Sequence, residues 1–151
     1  MSNPFAILNL EKSYALDPQL LEKHYFAEQK KCHPDQFSKA TEQEKAEALK
    51  KSAEVNQAYR MLKNPLTRAE YLLKAEDLET LSHDPSFLGT VMEWNERREK
   101  GENLKTELLE QENGFLEELE QSFAVKDYEK ARLVPYKLTY VQKLLKEEGG
   151  I

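Results

Sequence analysis

Six prolines decide most of what this chain can become. Proline fixes its own φ near the helical value, lacks an amide proton, and pushes the residue before it away from the helical conformation. It therefore opens helices or ends them. Asn3-Pro4, Asp17-Pro18 and Asp84-Pro85 each place a side-chain acceptor directly before the ring, the pattern of an N-cap followed by the first helical residue. Pro34 and the pair Asn64-Pro65 close the helices that precede them. Pro135 falls inside an apolar pattern carried by Ala131, Leu138, Val141, Leu144 and Leu145, so it kinks that helix or opens its second piece.

Between the prolines the apolar spacing is helical. The segment after Asn3 predicts a short helix of about two turns. After Asp17, Leu21, Tyr25 and Cys32 fall near one face. Thr41 with Glu44 is a capping box, and the helix it starts carries Ala48, Ser52, Val55, Tyr59 and Leu62 as a narrow stripe. "TRAEYLLKA" reads as one more short helix. "EDLETLSHDPS" is polar and without period, which marks a joint between residues 1–75 and 76–151. Beyond it, a helix from Asp84 through Arg98, a turn at "KGEN", and a long helix on Leu104, Leu108, Phe115, Leu119 and Phe123, weakened at Gly114, lead to the helix that holds Pro135. No strand pattern appears. The expected fold is all-α, the second half an antiparallel three-helix bundle because its turns are short.

Composition narrows the function. A formal charge of −6 over 151 residues gives a nucleic-acid role no global support. No apolar run approaches the ~20 residues that span a bilayer. "MSNPFAILNL" has neither a basic region nor a long apolar core, so no secretory signal is expected. A single cysteine cannot form an internal disulfide, and a reducing compartment, by default the cytoplasm, is expected.

The densest chemistry lies in "KKCHPDQF", Lys30 to Phe37. A nucleophilic site needs its base facing the nucleophile, and adjacent Cys32 and His33 do not face each other. A metal site needs three or four ligands; His24, Cys32, His33 and Asp35 are candidates in name, but no Cys-x-x-Cys or His-x-x-x-His pairing joins them. No Gly-rich phosphate loop is present. No cofactor is expected. Taken alone, His33-Pro34-Asp35 is ordinary turn chemistry.

The surroundings change that reading. A helix with outward lysines, His33-Pro34-Asp35 at its end, a polar loop and a second long helix resemble a J-domain over roughly residues 3–73. Phe5, Leu8 and Tyr25 match, as do Val55, Asn56, Ala58, Tyr59 and Leu62, then Arg68 and Ala69. The resemblance implies a helical hairpin whose His33, Pro34 and Asp35 contact a DnaK-type chaperone and stimulate its ATPase, with Lys23, Lys30 and Lys31 supplying a local positive field. Gln36 stands where the family usually has lysine, and Glu22 and Ala27 occupy positions that are often basic.

Most J-proteins continue into Gly/Phe-rich linkers or zinc-binding repeats; this chain does neither. "NPLTRAEYLL", "FLGTVMEWNERRE" and "KLTYVQKLL" resemble the HscB family, the co-chaperones of iron–sulfur cluster assembly, and extend the likeness to nearly the whole chain. It implies a non-enzyme whose partners are an HscA-like chaperone and an IscU-like scaffold. At about 100° per residue, Phe87, Val91 and Trp94 share one arc suited to a core, while Leu88 and Met92 lie on another, flanked by Glu93 and Glu96. The second arc either packs at the joint or forms an exposed apolar patch with an acidic rim. In the family these positions, with Tyr140, meet the scaffold; a J-protein with a different client is the alternative. Gly89, Lys100 and Tyr140 depart from residues common in the family.

Overall fold

Each cap foreseen from the sequence carries its hydrogen bond in the computed structural model, which describes residues 3–81 and 83–149. Asn3 accepts from the Phe5 amide at 2.9 Å, Asp17 from Gln19 at 2.9 Å and Asp84 from Phe87 at 3.2 Å. Thr41 and Glu44 bond reciprocally, at 3.1 and 3.2 Å. Asn64 does more than end a helix: its Oδ1 accepts from the Leu66 amide at 2.9 Å and so also starts the next.

The helices are α1 (Pro4–Ile7), α2 (Pro18–Lys31), α3 (Glu42–Lys63), α4 (Pro65–Ala75), α5 (Pro85–Glu99), α6 (Lys105–Ala124), α7 (Tyr128–Ala131) and α8 (Val134–Gly149). There is no strand among the described residues. Helix α1 is a single turn rather than two. Asn9 takes a positive φ of 54°, and the Leu8 carbonyl is held by His24 Nδ1 at 2.7 Å, so the chain leaves the helix there. Pro135 splits the last helix: α7 stops at Ala131, and α8 starts with Pro135 as its second residue, where a missing amide proton costs nothing. Gly114 does not interrupt α6; a Cβ there would meet nothing within 4 Å. Gly101, at φ +90°, makes the turn after α5.

Two compact units result, Met1–Arg68 and Ala69–Ile151, divided within α4. In the first, α1 and α2 pack on α3, with Phe5, Leu8, Leu21, Val55 and Leu62 buried. Arg68 supports this unit with its Nη1 on the Leu62 carbonyl and its guanidinium over the Tyr14 ring at 4.7 Å. In the second, Phe87, Val91, Trp94, Leu104, Leu108, Val141 and Leu144 form one core between α5, α6 and α8. Arg97 binds Glu102 and Glu107, and Arg98 binds Glu147 and Glu148, at one end of this bundle. No helix among the described residues is long and apolar enough to cross a membrane.

Candidate functional site

Helices α2 and α3 run antiparallel and are joined by polar and aromatic contacts on one side of the hairpin. Asn56 Oδ1 accepts from the Tyr25 hydroxyl and from Gln29 Nε2, both at 2.6 Å. Ser52 donates to Gln29 Oε1 at 3.2 Å, and the rings of Tyr25 and Tyr59 stack with centroids 4.0 Å apart. Such contacts fix register, because a shift of either helix strands half-buried donors. The hairpin therefore presents its tip at a defined position.

The tip is the stretch read from the sequence as a turn leading into a polar loop. It contains a single 3-10 turn, Pro34–Phe37, capped by His33. His33 Nδ1 accepts from the Asp35 amide at 3.2 Å, so the neutral ring carries its proton on Nε2. The side chains of His33 and Asp35 are 59% and 91% exposed. Pro34 is exposed between them. Gln36 bonds backward, donating from Nε2 to the Lys30 carbonyl at 2.7 Å. That amide satisfies a carbonyl left open at the end of α2 and ties the turn to the helix. Nothing in the local pattern announces this bond, which joins residues six apart.

The neighbouring candidates divide. Cys32 is buried, its thiol against the carbonyls of Glu28 and Gln29, and His24 is engaged by Leu8. Lys23 and Lys30 are exposed. Lys31 is exposed too, but its ammonium lies 2.8 Å from Glu28 Oε2, which also accepts from Asn9. Glu28 is buried, so Lys31 offers less free charge than the other two. The i, i+3 spacing of Glu28 and Lys31 was the available signal.

On α5 the two arcs separate as spacing predicts. Phe87, Val91 and Trp94 are buried, whereas Leu88 is 38% and Met92 60% exposed. Glu93 and Glu96 are exposed near Met92, and Lys100 is exposed at the end of α5. A Cβ added at Gly89 would meet nothing within 4 Å. Tyr140, on α8, is half-buried and packs edge-on against Phe87 and Tyr136, with centroids 6.1 and 5.2 Å away. It thus approaches the core arc of α5. Asp84 is held below the usual carboxylate range by the Phe87 amide and then by Lys137, whose Nζ is 3.6 Å away. Burial, then the Tyr140 hydroxyl and Asp84, push the Tyr136 phenol up.

Comparison with known proteins matches residues 3–71 to the DnaJ domain and residues 83–147 to the HSCB C-terminal oligomerisation domain. The chain is 32% identical to a co-chaperone protein HscB homolog of Mannheimia succiniciproducens, over 97% of this chain and 94% of the relative. Its fold is similar to that of the chaperone HscB from Vibrio cholerae, with a TM-score of 0.87 and 31% identity over 99% of this chain and 96% of the other. It is likewise similar to human co-chaperone protein HscB, with a TM-score of 0.89 and 27% identity over 99% and 81% of the two chains.

Proposed function

Given that the chain belongs to the HscB family of J-domain co-chaperones, we propose that it brings an IscU-like iron–sulfur scaffold to an HscA-like DnaK-type chaperone and stimulates that chaperone's ATPase in the cytoplasm. The observation that carries this reading is the exposed His33-Pro34-Asp35 turn, capped by its own histidine and tied by Gln36 to the end of a stiff hairpin.

Residues 1–75 face the chaperone. His33 offers its Nε2–H, Pro34 a rigid ring and Asp35 a free carboxylate, all in a geometry that needs little ordering on contact. Lys23 and Lys30, with a smaller share from Lys31, speed encounter with an acidic surface. Residues 76–151 hold the scaffold through Leu88 and Met92, with Glu93 and Glu96 as rim and Tyr140 as a further aromatic contact. The chain makes and breaks no bonds itself. Carrying both contacts on one body raises the effective concentration of cargo at the chaperone.

In full-length protein, His33→Gln abolishes ATPase stimulation of a purified HscA-like chaperone and changes stability by less than about 0.5 kcal/mol, as expected of an exposed side chain. Near-normal stimulation by this variant overturns the chaperone half of the reading. Titration with a purified IscU-like scaffold checks the other half, and absence of saturable binding defeats it.

A further inference from the structure

Helix α2 has an outer face that neither the core nor the loop requires. Its buried positions, Leu21, Glu28 and Cys32, fall within an arc of about 40° at 100° per residue. Lys23 and Lys30 point the opposite way. On the lysine side, about 60° from Lys23 and 40° from Lys30, lies Phe26. The residue is 63% exposed.

A lone exposed apolar residue needs no explanation. Three observations set Phe26 apart. It stands one turn from each of two lysines, and neither lysine has a carboxylate within salt-bridge distance among the described residues. Its ring lies 5.4 Å, centroid to centroid, from Tyr25, which is itself fixed by Asn56 and by stacking on Tyr59. A ring beside an immobilised ring loses little freedom when a partner covers it. Finally, six residues separate Phe26 from Cys32, the cap next to His33, a rise of roughly 9 Å. That is well inside the footprint of one protein interface, about 800 Å² per partner.

Resting on the reading that His33-Pro34-Asp35 and α2 face a DnaK-type ATPase, we infer that Phe26 is the apolar anchor of the docking face. The partner surface it fits is a shallow apolar depression with carboxylates at its edge, placed to meet Lys23 and Lys30. Aromatic side chains are enriched in the cores of interfaces, and charges at the rim act mainly on encounter. Ala27 on the same helix brings no charge, and the Glu22 carboxylate, one turn before Phe26, accepts from the Tyr59 hydroxyl at 3.4 Å.

The test is a titration of full-length protein into an HscA-like chaperone with ATP, reading half-stimulating concentration and maximal stimulation separately. Phe26→Ala raises the half-stimulating concentration about tenfold or more, as truncation of an anchor does. Maximal stimulation at saturation is kept, because the turn is intact. Phe26→Leu recovers most of the loss. Phe26→Lys, which would improve a purely electrostatic face, weakens docking at least as much as alanine. Melting of all three stays near that of the parent chain, since the ring is exposed. Wild-type half-stimulation by Phe26→Ala, or equal or better docking by Phe26→Lys, overturns the assignment. His33→Gln run beside them separates the two levels. A silent His33→Gln with a wild-type-like Phe26→Ala removes only the anchor, while an active His33→Gln removes the J-domain reading and the anchor with it.

Discussion

The hairpin of α2 and α3 and the bundle of α5, α6 and α8 hold together in different ways. The hairpin puts hydrogen bonds among Tyr25, Gln29, Ser52 and Asn56 where a bundle would put aliphatic contacts. The bundle surrounds Phe87 with the rings of Trp94, Phe115, Tyr136 and Tyr140, with centroids about 6 Å away and edge-on. Polar pairing is directional and fixes the position of a tip. Aromatic packing is less directional and fixes a surface, on which Leu88 and Met92 stand side by side. The His33-Pro34-Asp35 turn rests on the first kind of support, and the face with Leu88 and Met92 on the second.

Substitutions that exchange the two modes break or sharpen the contrast. Trp94→Ala empties a buried indole site, so the bundle loses about 3–5 kcal/mol in chemical unfolding. A loss under about 1 kcal/mol would mean the core is not closed around this ring. Leu88→Ala with Met92→Ala leaves melting nearly unchanged and weakens scaffold binding by about 2 kcal/mol or more, whereas Glu93→Ala costs about 1 or less. Calorimetric unfolding beside a scaffold titration checks both numbers. A large melting shift with unchanged affinity would place the two side chains in the support rather than the contact. Asn56→Leu keeps the bulk but removes the acceptor shared by Tyr25 and Gln29, and costs about 1–3 kcal/mol of hairpin stability. Wild-type stability in this variant would show that stacking of Tyr25 on Tyr59 alone carries the pairing.

The smallest effect is electrostatic. The folded pKa of Asp84 is depressed, first by the Phe87 amide. Its contribution is present above the unfolded pKa and is lost as pH falls through the folded one, so the window lies below about pH 4. Asp84→Asn keeps the capping oxygen and removes the charge. Its melting point should lie slightly below that of the parent at pH 5, and the gap should close on acidification. A gap independent of pH would assign the effect to the cap alone.

The parts of the fold visible in the sequence were those decided within a few residues. Caps at Asn3, Asp17, Thr41 and Asp84 are local hydrogen bonds, and Pro135 carries its consequence with it. The two arcs of α5 follow from spacing alone. Less visible was what depends on chain segments meeting. The single turn of α1 reflects His24, sixteen residues from the carbonyl it holds. The 3-10 turn after His33 and the Gln36 tether arise from the end of α2 folding back on itself. Spacing allowed the pairing of Lys31 with Glu28, but not the burial of Glu28, which its residue type argues against. Tyr140 could be named from resemblance, but not its half-buried position beside Phe87.

Gly89 gives the patch a property of its own. It sits next to Leu88 in the first turns of α5, and an added Cβ would touch nothing within 4 Å. Alanine there would raise helix propensity by about 1 kcal/mol. The added methyl would enlarge the apolar surface next to Leu88 without displacing any neighbour. The apolar surface of this face is therefore one substitution from growing, with no compensating change elsewhere. A single codon can change the extent of this apolar face, while the core beneath keeps its shape.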